Sequence, residues 1–120
     1  MKILKRLNIV KAVTENPFRV GDILCCEWGY TQQLVDFYKV IATTNSFVQL
    51  VALEEKRVSQ DDYGQEGKVI PSDKVRKDSY VDNKKFKVKF HGNVPYISIN
   101  SSITPVEKWD GKPKYFNLYD

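Results

Sequence analysis

The side chains able to do covalent chemistry are few: two adjacent cysteines, Cys25 and Cys26, and one histidine, His91. A thiol nucleophile needs a base, and a Cys–His pair completed by Asn100 is formally available. The surroundings argue against it. Both cysteines lie in the apolar run Ile23–Trp28, where buried thiols behave as small inert hydrophobes. Neighbouring strand residues point to opposite faces, so the pair is not expected to bridge. With no third thiol there is no intramolecular disulfide framework, which suits a reducing cytosol. One histidine and two divergent thiols do not complete a tetrahedral site, so neither a metal nor a cofactor is expected. Asp61, Asp62 and Glu66 carry hard oxygen ligands, but their spacing is not that of an EF-hand loop and a solvated loop is the simpler reading. Gly64 and Gly67 belong to no phosphate-binding glycine pattern. No catalytic residue is assigned, and the chain reads as a binding protein rather than an enzyme.

The residues suited to binding are more numerous. Trp28, Tyr30, Tyr38 and Trp109 offer aromatic faces, Gln32 and Asn100 are two-way hydrogen bonders, and Asp36 is an acid inside an otherwise apolar strand. Each has a structural alternative: the rings as core, Asp36 and Gln32 as internal hydrogen bonders. Residues 28–32 close one strand and Asp36–Tyr38 open the next, Asn100 ends a later strand, and Trp109 follows nine positions on. A barrel would gather all seven at one end, as a ligand- or partner-binding site.

Charge supplies a second candidate. The formal net charge of +4 conceals segregation. Residues 1–19 carry a net +4, residues 20–67 a net −5, residues 68–89 a net +5, and residues 90–120 balance. The basic segments either pair with the acidic middle or leave a patch for phosphate or an acidic surface, with Lys84, Lys85, Lys87 and Lys89 at its centre.

The elements that must position these groups are strands. Residues 22–28 form a first strand and residues 34–43 a second, rich in β-branched and aromatic side chains. Asn45-Ser46 turns the chain into a third, residues 47–54, making a hairpin. Residues 55–67 read as a polar loop, 68–71 as a short strand, and 72–84 as a second polar connection. Phe86, Val88 and Phe90 then alternate with Lys85, Lys87 and Lys89, the two-residue period of a half-buried strand. Gly92-Asn93 turns, residues 96–100 form a last core strand, and Ser101–Asp120, with two prolines and Gly111, reads as an irregular aromatic tail. In it Asp110 and Gly111 set a turn while Trp109 plugs the barrel. The fold class is therefore mainly β: a small antiparallel barrel or strongly bent sheet, SH3-like in its Val20-Gly21-Asp22 opening. A basic N-terminal segment over 1–19 precedes a barrel domain over 20–100 and the tail over 101–120. Residues 1–13 keep apolar spacing that leaves a short helix open beside an extra strand. No run approaches the roughly 18 apolar residues of a membrane span, and no signal peptide is read at the N-terminus.

Two blocks are more particular than generic core: Trp28-Gly29-Tyr30-Thr31-Gln32 with Val35-Asp36-Phe37-Tyr38-Lys39-Val40, and Ser98-Ile99-Asn100-Ser101 leading into Lys108-Trp109-Asp110-Gly111-Lys112-Pro113 and Tyr115. Together, over most of residues 20–115, they resemble a group of small uncharacterised proteins encoded by bacteriophages, prophages and plasmids. Gln33-Leu34 departs from the small polar residues usual in that group. The resemblance implies a mobile-element accessory protein of the bacterial cytoplasm, and no mechanism comes with it. The expected function is binding of a host protein or nucleotide signal so as to antagonise a host defence system. The alternatives are a nucleic-acid-binding barrel acting through the lysines and a structural or virion assembly component; the oligomeric state stays open.

Overall fold

The computed structural model describes residues 16–99 and 104–119. The open choice of helix or strand over residues 1–13, and Asn100, fall outside the described residues. Within them every regular element is a strand. In chain order these are β1 (Ile23–Trp28), β2 (Leu34–Thr43), β3 (Phe47–Gln60), β4 (Glu66–Val75), β5 (Lys85–Lys87), β6 (Lys89–His91), β7 (Val94–Tyr96), β8 (Glu107–Lys108) and β9 (Lys114–Asn117). The main sheet is antiparallel in the order β8-β1-β2-β3-β4-β9, with β5 added to β3, while β6 and β7 pair separately. It curls into a half-barrel, the barrel-like, mainly β fold that the strand pattern calls for.

Local chemistry accounts for the central hairpin. Thr44 donates its amide to the Phe47 carbonyl and accepts the Phe47 amide on its own hydroxyl, closing the turn expected at Asn45-Ser46. Asn16 staples the same turn, its side-chain amide donating to the Thr44 and Phe47 carbonyls while its oxygen accepts from Phe18. Val40 faces Leu50 and Tyr38 faces Ala52, after which a bulge at Ile41 resets the register.

Both faces of the β1-β2-β3 sheet are apolar, so the fold has two cores. Leu24 and Cys26, Tyr38 and Val40, and Val48, Leu50 and Ala52 point to one side, where Val81, Val88, Ile97 and Val106 cover them. Ile23 and Cys25, Val35 and Phe37, and Val51 and Leu53 point to the other, against Val69 and Phe116. This second core is the inside of the curl. β9 crosses to the β1–β2 turn, where Gln33 and Asn117 exchange both backbone hydrogen bonds at 2.8 Å. Each fully buried large side chain, such as Phe37 or Leu50, contributes about 1.5–3 kcal/mol.

Four expectations need correction. Residues 55–67 are not a loop: β3 runs to Gln60, β4 starts at Glu66, and the turn between them is five residues. The ribbon survives its polar composition because it pairs along its length, β9 extends it, and the Arg57 guanidinium stacks 4.6 Å from the Phe116 ring. The connection expected over 72–84 is shorter too, as β4 reaches Val75. Residues 104–119 are not an irregular tail but supply both edge strands, β8 and β9. The last core strand lies at 94–96 instead of 96–100, followed by an isolated bridge from Ile97 to Val106. The alternation at 85–90 holds: Phe86, Val88 and Phe90 pack on the first core and the three lysines are exposed. Yet the strand breaks at Val88, whose amide donates to the Ser46 carbonyl, so Lys85 and Lys87 belong to one sheet and Lys89 to another.

Candidate functional site

Cys26 faces Asp36 in the β1–β2 register and Trp28 faces Leu34, so Trp28 and Asp36 are diagonal neighbours on one face. The Trp28 indole N–H donates to Asp36 Oδ2 at 2.7 Å. Tyr38 follows on the same face, and the loop after β4 brings Tyr80 across from it. These side chains, with Ile99, line a half-open cleft of about 300 Å3. Trp28 keeps 43% of its surface exposed and Tyr80 keeps 53%. The Arg76 guanidinium lies 3.7 Å from Asp36 Oδ1 on the far side. There Asp36, Glu55 and Arg76 line a second hollow of about 310 Å3. Burial, then the Asp36 charge, pushes the Glu55 carboxyl above its ordinary range, partly offset by Arg57 and Arg76. The same two causes raise the Tyr38 phenol, which stays a protonated donor. Lys84 places its ammonium 3.2 Å from the Tyr80 ring centroid, so one aromatic wall already carries a cation.

The seven residues expected at one site do not all meet. Trp28, Asp36 and Tyr38 do. Trp109 lies on the opposite face, because its amide bonds to the Ile23 carbonyl and β8 sets Glu107 against Cys25. Its ring meets Phe37 edge-on at 6.0 Å and its indole N–H donates to the Lys112 carbonyl. It therefore plugs the second core, beside a turn that Asp110 forms by accepting the Lys112 amide, with Gly111 at φ +84°. Gln32 is structural, donating to the Leu118 carbonyl at 2.7 Å. Tyr30 projects fully into solvent at 103% exposure. Strand alternation is the reason for the split: even-numbered positions of β1 and β2 face the first core, and the chain segment bearing Trp109 docks on the odd-numbered side.

The thiols diverge as expected, Cys25 toward the second core and Cys26 into the first, and both are free. Burial foremost, with help from Glu27, pushes the Cys25 thiol up to about 12. Burial and then Asp36 take Cys26 to about 11. Neither is poised as a nucleophile. His91 is exposed on β6. Among the described residues no cluster of three or more His, Cys, Asp or Glu side chains converges on a metal position. Asp61 is an internal fastener: Oδ1 accepts the Gln65 and Glu66 amides and Oδ2 accepts the Tyr119 hydroxyl. Glu66 likewise accepts the Tyr115 hydroxyl at 2.7 Å. The acidic loop thus ties the C-terminal segment to the hairpin.

Arg76, Glu55 and Tyr80 carry no sequence signal as site residues, since Arg76 finds its acid forty positions away. The four lysines do not form one row: Lys84 turns to Tyr80 and Lys89 leaves with β6. Within the described residues the ion pairs are Arg76–Asp36, Lys108–Asp22 and Lys114–Asp110. Of the basic segment 68–89 only Arg76 pairs with the acidic middle among the described residues, so for that segment the expected pairing is mostly not made. No protein-family model, no curated protein and no solved structure matches the chain.

Proposed function

We propose that this chain is a non-enzymatic binding protein of a mobile genetic element, acting in the bacterial cytoplasm on a host protein. The cleft between Trp28, Asp36, Tyr38 and Tyr80 receives a basic side chain of that partner. The observation that carries this reading is the Trp28–Asp36 pair at the mouth of an aromatic cleft. Rings beside a carboxylate attract an ammonium or guanidinium both through their quadrupoles and through the charge. Asp36, the charged side chain among the cleft's described lining residues, disfavours a phosphate there, which favours a protein over a nucleotide signal. The raised thiols weigh against covalent chemistry. The mobile-element assignment draws on the two sequence blocks, whose first member supplies Trp28, Asp36 and Tyr38. Antagonism of a defence system is the role such a partner implies. The test is parallel capture from bacterial lysate with the wild type, Trp28→Ala and Asp36→Asn, after circular dichroism establishes that the variants fold. One host protein retained by the wild type and lost by both variants supports the reading. Unchanged capture by both variants refutes it.

A further inference from the structure

On the reverse of the cleft, the β2-β3-β5 sheet presents a second surface with different chemistry. Phe47 faces Lys87 and Gln49 faces Lys85 across the β3–β5 ladder. Lys39 faces Val51 across the β2–β3 ladder. Directly paired residues share a face, and Phe47, Gln49 and Val51 alternate with the buried Val48 and Leu50. All these groups therefore point away from the first core. Lys77 comes to the rim of the same surface, lining with Ile41, Val51 and Val75 a hollow of about 440 Å3. Ile41, Phe47 and Val75 are exposed, as are all four lysines. The three positions along β3 are spaced by about 7 Å, and the strands by about 5 Å. Phe47 thus has Lys87 beside it and Lys85 on the diagonal, while Lys39 and Lys77 lie toward the Val51 end, about 14 Å along the same face.

The two acids nearby do not neutralise the surface. Asp78 and Asp82 line the hollow, and Asp82 is already engaged by the Ser79 amide. None of Lys39, Lys77, Lys85 and Lys87 is in an ion pair among the described residues. Their charge is left for an external anion. An acidic protein would satisfy the lysines and bury the ring as an apolar contact, but takes no stacking from it. A single-stranded nucleic acid uses both, phosphates on the ammonium groups and a base on the ring, which is how stacking platforms on small β folds hold single strands. A duplex keeps its bases stacked and gains only the electrostatic part.

We infer that the sheet face bearing Lys39, Phe47, Lys85 and Lys87, with Lys77 at its rim, binds single-stranded nucleic acid. The site lies across the sheet from the Trp28–Asp36 cleft and does not depend on it. Fluorescence anisotropy with labelled oligothymidine and oligouridine, and a duplex of equal length, tests the inference on the full chain. Four phosphate contacts give a log–log salt slope of about −3, so affinity falls about 50-fold between 50 and 200 mM salt. The double variant Lys85→Ala/Lys87→Ala halves that slope to about −1.4. Phe47→Ala weakens single-strand binding by about tenfold with little effect on duplex, and Phe47→Trp restores it. Trp28→Ala leaves binding unchanged. The inference is overturned if single strands do not bind at low salt. It is equally overturned if the Lys85→Ala/Lys87→Ala variant binds as the wild type does, if Phe47→Ala has no effect, or if Trp28→Ala abolishes binding.

Discussion

Replacing Gly29 by alanine isolates what holds the β1–β2 turn beneath Trp28. Gly29 has φ +124° and Gly21 has φ +96°, so alanine is conformationally strained at both. They differ in space. A Cβ on Gly21 meets nothing within 4 Å, whereas a Cβ on Gly29 would lie 2.1 Å from the Gln32 carbonyl oxygen and 3.0 Å from its carbon. That obstacle is backbone and cannot swing aside. Its neighbour Gln33 is fixed by two 2.8 Å hydrogen bonds with Asn117, and the Gln32 side chain is tied to Leu118. Relief of the clash therefore pulls the turn away from β9. Dihedral strain alone costs about 1–2 kcal/mol, and forced overpacking adds about 1–3 kcal/mol. Gly21→Ala is expected to destabilise by about 1–2 kcal/mol and Gly29→Ala by about 3–4 kcal/mol. At about 4 °C per kcal/mol for a chain of this size, the melting temperatures fall by about 6 °C and about 14 °C. Thermal and urea denaturation followed by circular dichroism measure both. Equal losses for the two variants would refute the steric argument and leave only the shared φ strain.

Phe37→Ala should cost about 3–5 kcal/mol in urea denaturation, and a double-mutant cycle with Trp109→Ala should show about 1 kcal/mol of coupling from the edge-on ring pair. Additivity of the two variants would deny that contact. The folded thiols sit at about 12 and about 11 against an unfolded value of 9.0, so the neutral form favours the native state. Their contribution is whole below pH 9.0 and is lost as pH climbs toward 12; thiolate absorbance of the native protein should stay low at pH 9.0, and a native transition near pH 8 would contradict it. The Tyr119 hydroxyl, and then the backbone amides, hold Asp61 below its ordinary 3.8, a contribution present above that value and lost as pH falls through the depressed one. Tyr119→Phe should move the Asp61 carboxyl resonance midpoint upward in an NMR titration, and an unmoved midpoint would remove the hydroxyl as the cause.

What the sequence determined by itself is what neighbouring residues decide between them. The strand at 34–43, the in–out alternation over 85–90 though not its break at Val88, the turn after Thr43, the divergence of Cys25 and Cys26, and the turn at Asp110-Gly111 all follow from alternation and turn chemistry within a few positions. That Trp28 and Asp36 lie at one end of the hairpin was legible for the same reason, since a short turn joins their strands; their hydrogen bond was not. The tertiary structure alone decided the rest. Residues 55–60 are polar and would not be strand on their own; they become β3 because β4 and β9 supply ladder partners from far along the chain. Trp109 goes to the odd-numbered side of β1 because β8 pairs there, and a sheet apolar on both faces gives no local sign of which side a distant segment will cover. Lys85 and Lys87 share a face with Phe47 only through the β3–β5 register. Backbone hydrogen bonds between strands carry no residue identity, so edge and register are chosen by the total burial of two cores, a sum over the whole chain that no window of it contains.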